Sequence, residues 1–575
     1  RDAMAVRITE LRLWLAVIAD DPARMPRRVR PLPNLDCLVR QGDSLLAPGG
    51  WMGQLASSAP GHSGPLAGLR RKFLIATGAE KAAAARELHR EEHAVACRRA
   101  AWAESATDDA LRQSVADARA PDLFGQPSRM TAAGRKEFSL FRRMWHSARA
   151  IRRQLHEDRA VPWFQYEIQF GDIVNGQGGF DLVIGNPPWV RAERLPARLR
   201  QHLSERYAWW RTAADRGMGH QPDLSIAFLE RGLELASPDG IVAFLLPAKI
   251  TSAGYAERAR QTLRRKYRLH AVARLASEDE GAFTAAVYPL LLVAGNGRPS
   301  PGDSVAIGIG AGSDRVSVSD LPHNGPWVLR SAGLARLNSR FREMPRLGEH
   351  FRTRLGIKTG ANAVFLDPAA AVEEEMWRPV LRGRDLARPE SLRNSFIIWT
   401  HGDDGHPLTS LPPGATRWFN RHRRELTRRS DYRGGPIWQL FRTEGLQTPW
   451  RVVWADLAGT LRPIVTGNEV IPLNTCYYLA CDESAVATAL AAWLGSKWLR
   501  AAAALVADPA RGGYARFNAR CIEGLPWFAD AVADPVLNAN PDPEEIDDAV
   551  AGYLEISPAE RRALGRVARR SPGGC

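Results

Sequence analysis

The sequence predicts an α/β protein with a mostly parallel sheet, a helical insertion and a second, mixed α+β domain. Three observations carry that expectation. Apolar runs of strand length alternate with helical segments between about residue 160 and residue 293. An Ala-, Arg-, Glu- and Leu-rich block precedes them. After a turn-rich stretch at 298–303 the texture changes to short strands, many Arg and Trp residues and Pro/Gly-rich loops.

Taken in order, Ile8, Leu11, Trp14, Leu15 and Ile18 fall at helical spacing and predict a helix over 7–19. Residues 31–36 then lead into a short strand at Cys37-Leu38-Val39, which Gln41-Gly42-Asp43-Ser44-Leu45 closes. Long helices follow from Leu66 to about Arg159, broken by the Pro/Gly residues at 121–127, and define an insertion over about 62–159. Core patterning resumes at Pro162-Trp163-Phe164 and runs into the apolar strand that begins at Phe180. A helix over 223–236, a buried strand over 240–246, a helix from Tyr255 and strands at 271–275 and 288–293 complete the alternation, which requires a mostly parallel sheet. The tail over 541–570 reads as helical, with Glu544, Glu545, Asp547 and Asp548 at its start and arginines at its end, an arrangement that suits the helix dipole.

A chain of 575 residues is long enough for two or three domains with substantial cores. Its formal charge of +15 favours a polyanionic partner. Cysteines at 37, 97, 476, 481, 521 and 575 form no C-x-x-C pair, which argues against zinc and against a disulfide framework and points to a reducing, cytoplasmic setting. Charged residues interrupt the first helix, so it is no signal peptide, and no apolar run has the length of a membrane span. The first residue is Arg1 and not methionine, from which a fragment or a processed chain is expected.

The most informative stretch is Phe180-Asp181-Leu182-Val183-Ile184-Gly185-Asn186-Pro187-Pro188-Trp189. Proline has no N–H and fixes φ, so the loop is rigid and its carbonyls stay free to accept hydrogen bonds. Asn186 adds a side-chain acceptor, and the Trp189 ring presents a flat face to a base. These features suit a planar ring bearing an NH₂ group.

This segment resembles motif IV, (D/N/S)PP(Y/F/W), of the amino-methyltransferases that act on N6 of adenine or N4 of cytosine. Its Asn form and downstream layout resemble the gamma class of N6-adenine DNA methyltransferases. The resemblance implies a Rossmann-like methyltransferase sheet, S-adenosylmethionine as cofactor and a flipped adenine held by Asn186, Pro187, Pro188 and Trp189. Phe283, in Gly281-Ala282-Phe283-Thr284, is similar to the family segment that covers the other face of the base. Asp43 resembles the motif III acid that accepts from the cofactor's adenine, with Asp172 as a rival. No D-P-x-x-G-x-G motif I is present, and residues 1–6 resemble the segment just after the ribose-binding acid of motif II. The sheet is therefore expected to be N-terminally incomplete, with the missing motif supplied by an upstream segment or a partner subunit.

The remainder resembles the target-recognition domain of large Type IIG and BREX-like methyltransferases. Leu355-Gly356-Ile357-Lys358-Thr359-Gly360-Ala361-Asn362, Leu381-Arg382-Gly383-Arg384-Asp385 and Arg511-Gly512-Gly513-Tyr514 carry that resemblance. It implies contacts to double-stranded DNA from Lys358, Thr359, Asn362, Arg382, Arg384, Arg511 and Tyr514, and no metal. A run of Arg417, Arg421, Arg423, Arg424, Arg428, Arg429 and Arg433 interleaved with Trp418, Phe419 and Tyr432 suits either a phosphate track or a solvated helix face. The implied domains are a catalytic region over 1–325, a recognition domain over 326–535 and a helical tail over 536–575. The implied function is site-specific adenine methylation in restriction-modification or phage defence, alongside a restriction or defence partner. Two alternatives stand beside it: a non-catalytic recognition or partner subunit, and an N-methyltransferase of RNA or protein glutamine.

Overall fold

A computed structural model describes residues 3–20, 33–46, 65–120, 130–158, 161–214, 221–274, 289–309, 313–366, 369–387, 395–510, 514–539 and 542–569. Contacts divide the chain into two compact units, one comprising 1–246, 265–268 and 292–299, the other 247–264, 269–291 and 300–575. Among the described residues no helix is long and apolar enough to cross a membrane.

In the first unit, the helix Ala3–Asp20 leaves Met4, Ile8, Leu11, Leu13, Leu15, Val17 and Ile18 exposed. Its Trp14 donates from Nε1 to the Pro33 carbonyl at 3.0 Å. The strand expected at Cys37-Leu38-Val39 is instead a turn: the Leu38 and Val39 amides both donate to the Leu35 carbonyl at 2.8 Å. A backbone folded onto its own residues has no amides left for a ladder, and Cys37 packs with Leu66 and Phe73.

The helices expected over about 62–159 form as Leu66–Ile75, Gly78–Arg119 and Ala132–Glu157. Ala96, Ala100 and Ala103 of the long helix pack with Ala148, Ile151 and Leu155 of the third, a seam whose small side chains let the helices approach closely. Thr131 caps the third helix by accepting from the Gly134 amide at 3.0 Å. Buried Arg70 anchors the insertion by pairing with Asp172 at 2.8 Å and donating to the Gln169 carbonyl at 2.6 Å.

Strands β1 (Phe180–Gly185), β2 (Ala236–Pro247), β3 (Arg268–Arg274), β4 (Pro289–Gly295), β5 (Ser304–Ala306) and β6 (Arg315–Ser317) form a six-stranded sheet in the order β1-β2-β4-β3-β5-β6. The pairs β1/β2 and β3/β5 are parallel and β5/β6 is antiparallel, so the sheet is mixed. Strand β1 is an edge strand, and two of its apolar side chains, Leu182 and Ile184, are 57% and 76% exposed. The helix Leu224–Leu235 begins at Asp223, whose Oδ1 accepts from the Ser225 amide at 3.0 Å.

Residues 353–481 of the second unit form smaller sheets. Introducing β7 (Thr353–Leu355), β8 (Trp377–Leu381), β9 (Phe396–Ile398), β10 (Trp450–Ala455), β11 (Leu457–Ala458), β12 (Ile464–Gly467), β13 (Ile471–Pro472) and β14 (Cys476–Cys481), the orders are β12-β10-β14-β7 and β13-β8-β9. Large aromatics fill its core, and the indole nitrogens of two of them are paired with backbone carbonyls. Trp454 donates to the Phe517 carbonyl at 2.7 Å and Trp493 to the Pro526 carbonyl at 2.9 Å. The tail forms two helices, Pro543–Tyr553 and Pro558–Arg569, the first capped by Asp542.

Candidate active site and nucleic-acid interface

Strand β1 delivers the Asn-Pro-Pro-Trp loop from its C-terminal end, the end at which open α/β sheets place their ligands. The register pairs Gly185 with Phe244 of β2. A Cβ on Gly185 would lie 3.3 Å from the Phe244 ring, and one on Gly232 would lie 2.8 Å from it. One aromatic ring thus fills the space that two glycines leave, and sets the strand against the helix Leu224–Leu235.

Beyond the strand, Pro187 is buried while Asn186 and Pro188 are exposed. Trp189 is half-buried and donates from Nε1 to the Leu245 carbonyl at 3.3 Å. The chain after it is held by the Leu224 amide, which donates to the Val190 carbonyl at 2.8 Å. Burial pushes the carboxyl of Asp223 above its ordinary value, against the opposing pull of Ser225. Among the described residues the Asn186 side chain and the Pro187 carbonyl have no hydrogen-bond partner. The loop therefore presents adjacent unpaired acceptors beside a ring that is fixed in place. Phe283 lies outside the described residues.

Asp43 sits in a turn whose amides it satisfies itself: Oδ1 accepts from Leu45 at 3.0 Å and Leu46 at 3.1 Å. The cavity it lines with Tyr166, Glu167, Tyr207 and Arg231 measures about 20 Å³, space for a water and not for an adenine ring. Neighbouring charges are already matched. Burial raises the Glu167 carboxyl, but Arg231 at 2.8 Å overrides it and holds the group below its ordinary value. Asp172, the rival acid, is committed to Arg70. Among the described residues, those around Asp43 therefore do not by themselves fit S-adenosylmethionine.

In the second unit the expected DNA contacts separate into two sets. Lys358 is paired with Asp431 at 2.6 Å, which holds that carboxyl below its ordinary value. Thr359 is buried. Its hydroxyl donates to Asn362 Oδ1 at 2.6 Å and accepts from the Ala361 amide at 3.1 Å, so it shapes the turn and faces no solvent. Gly360 has φ +69°, and a Cβ there would meet Arg429 at 2.9 Å. Arg429 is itself buried, donating to the carbonyls of Thr359, Leu426, Ile437 and Gln439, and Phe419 is fully buried. Neither belongs to a phosphate track, whereas Arg417, Arg421, Arg423, Arg424, Arg428 and Arg433 are exposed. Asn362, Arg382 and Arg384 do converge, around one cavity. Tyr514 is 49% exposed, and Arg511 lies outside the described residues. Sequence reasoning missed Asn474 and Thr475, which line the same cavity. Their only signal was a polar pair between two apolar strands.

An α/β sheet that ends a parallel strand in Asn-Pro-Pro-Trp defines a methyltransferase of exocyclic amino groups. Residues 1–282 match the Eco57I restriction-modification methylase family. The Type II methyltransferase M.PaeR7I of Pseudomonas aeruginosa is 27% identical over 434 residues, covering 68% of this chain and 73% of the relative. M.XhoI of Xanthomonas vasicola is 26% identical over 386 residues, covering 60% of this chain and 68% of its own. Among solved structures, the Type IIL restriction-modification enzyme MmeI in complex with DNA aligns with a TM-score of 0.48 and 13% identity over 76% of this chain; the chain spans 65% of that protein's length. The protein is an adenine-specific DNA methyltransferase, and its first 282 residues are similar to the Eco57I restriction-modification methylase family.

Proposed function

We propose that this protein methylates N6 of an adenine flipped out of double-stranded DNA at a specific sequence, with Asn186, Pro187, Pro188 and Trp189 as the base-holding loop. The observation that carries the reading is the pair of acceptors, Asn186 Oδ1 and the Pro187 carbonyl, which no described residue pairs, next in the chain to the clamped Trp189 ring. The N6 lone pair of adenine is delocalised into the ring and is a poor nucleophile. Two acceptors that take the N6 hydrogens draw the nitrogen toward tetrahedral geometry and localise the pair, which is stabilisation by dipoles already in place. No strong base is needed. Stacking on Trp189 offsets part of the cost of extruding the base. Residues 326–535 select the sequence in this reading.

S-adenosylmethionine is the methyl donor that the family implies; it supplies an electrophilic methyl group on a sulfonium. Among the described residues no strand covers the outer edge of β1, and this and the small cavity at Asp43 favour a second element of the reading, that a glycine-rich segment from outside residues 1–575 or from a partner subunit completes the donor's site.

The test is to express the protein, together with whatever genes flank its own, in a host lacking adenine methylation and to map modified bases. N6-methyladenine at one recurrent sequence is expected. N4-methylcytosine in its place, or methylated RNA or glutamine without modified DNA, would overturn the reading.

A further inference from the structure

The second unit contains a cavity of about 460 Å³, within the roughly 300–1,000 Å³ range of sites that hold small organic groups. It lies where the loop after β8 meets the loop between β13 and β14. Gly383 fixes that junction: its amide donates to Thr475 Oγ1 at 2.9 Å, and a Cβ on it would lie 2.8 Å from the Thr475 carbonyl. The apolar side chains of Leu366 and Leu473 form part of the wall.

The polar groups around the cavity are mostly donors. Asn362 has its Oδ1 occupied by the Thr359 hydroxyl, so its amide NH₂ is the part left to a ligand. Arg382 Nε is buried and has no hydrogen-bond partner among the described residues. Arg384 is 72% exposed and only loosely paired with Asp385, at 3.6 Å. Asp385, the acid beside them, is itself buried and accepts from the Arg382 amide at 2.9 Å. Such a lining selects for an acceptor-rich group with a flat apolar face. A phosphate would meet the donors but leave the leucine wall without a partner, whereas a guanine presents O6 and N7 as adjacent acceptors on an aromatic ring.

We propose that this cavity reads a guanine of the recognition sequence through its O6/N7 edge, with Arg384 and Asn474 as specificity residues. The inference rests on the assignment of residues 326–535 to DNA recognition. Arg384 supplies the bidentate fork that matches O6 and N7. Asn474, exposed on the opposite loop, orients the base from the other side.

The test is selection of binding sites from randomised DNA duplexes by the 575-residue protein and by its Arg384→Ala, Arg384→Lys and Asn474→Ala variants. The wild type should enrich one sequence containing guanine. Arg384→Ala should lose discrimination at one guanine by roughly ten- to a hundredfold while keeping the others. Asn474→Ala should weaken preference at the same position, and 7-deazaguanine there should weaken the wild type but not Arg384→Ala. Uniformly weaker binding to all sequences, with the salt slope reduced by about one, would mark Arg384 as a phosphate contact and overturn the proposal. So would unchanged selection by both alanine variants. Arg384→Lys keeps the charge, so a loss of guanine preference in it supports the fork. If the wild type enriches no sequence at all, the assignment of the recognition domain fails, and the pocket with it.

Discussion

The indole nitrogen of Trp189 lies 3.3 Å from the Leu245 carbonyl oxygen, which ties the aromatic ring of the Asn-Pro-Pro-Trp loop to the end of the neighbouring strand. A ring anchored in this way is in place before the base arrives, so stacking loses little entropy. Trp189→Phe keeps an aromatic face and removes the anchor; Trp189→Ala removes both. Single-turnover methylation by the complete enzyme should fall modestly in the first and steeply in the second, and DNA binding should weaken in Trp189→Ala. Equal rates in the two variants would show that the ring contributes no stacking.

In the proposed mechanism Asn186→Ala removes one acceptor that acts mainly in the transition state. The single-turnover rate should fall a hundredfold or more with DNA affinity largely kept, since loss of one preorganised group typically costs about that much. A variant retaining about a tenth of the wild-type rate would exclude this role for Asn186.

Gly232 sits on the helix Leu224–Leu235 with its missing Cβ 2.8 Å from the Phe244 ring. Alanine is the better helix former, by about 1 kcal/mol, but here it collides with a packed ring, and overpacking costs about 1 to 3 kcal/mol. Gly232→Ala should therefore lower the denaturant midpoint. Phe244→Leu combined with Gly232→Ala should recover more stability than the two single effects predict. Simple additivity in this double-mutant cycle would show that ring and glycine do not couple.

Much of this architecture was legible because it depends on local chemistry. The helical insertion announced itself through composition and the break at 121–127, and β1 through an apolar run that ends in two prolines. Residues 37–39 misled because Cys-Leu-Val suits a strand, while the decisive interaction is the Leu35 carbonyl taking the following amides. The residues expected to contact DNA divided for a similar reason. Nothing in the sequence tells exposed Arg428 from buried Arg429, since the carbonyls that hold Arg429 come from Leu426, Ile437 and Gln439 in the surrounding turns and from Thr359, 70 residues away. Asn474 and Thr475 gained meaning only when the fold carried them to Arg382 and Arg384.

The cofactor half makes its own prediction. Asp43 already satisfies two amides and lines a cavity that holds about 20 Å³. Titration calorimetry on the 575-residue protein should detect very weak binding of S-adenosylmethionine or none. Low-micromolar affinity without any added polypeptide would place the cofactor elsewhere in the chain.

His401 should make stability depend on pH. It is buried, and burial is the main cause that pulls its pKa down to about 4, against the weaker opposing influence of Asp404. The Leu440 amide donates to Nε2 at 3.4 Å, which leaves the proton on Nδ1, 3.2 Å from the Thr400 hydroxyl. Protonating Nε2 would break that arrangement. In the unfolded chain the imidazole titrates near about 6.5, so the unfolded state binds more protons between the two values. The contribution of neutral His401 is therefore complete above pH ~6.5 and is lost as pH falls toward about 4. It amounts to on the order of 3 kcal/mol at most. Urea unfolding of the wild type should show stability falling across this window beyond what the carboxylates cause. His401→Gln, which cannot take up a proton, should fall less steeply, so that the gap between the two proteins shifts in the variant's favour as the pH drops. Parallel curves would show that His401 is not the group that titrates.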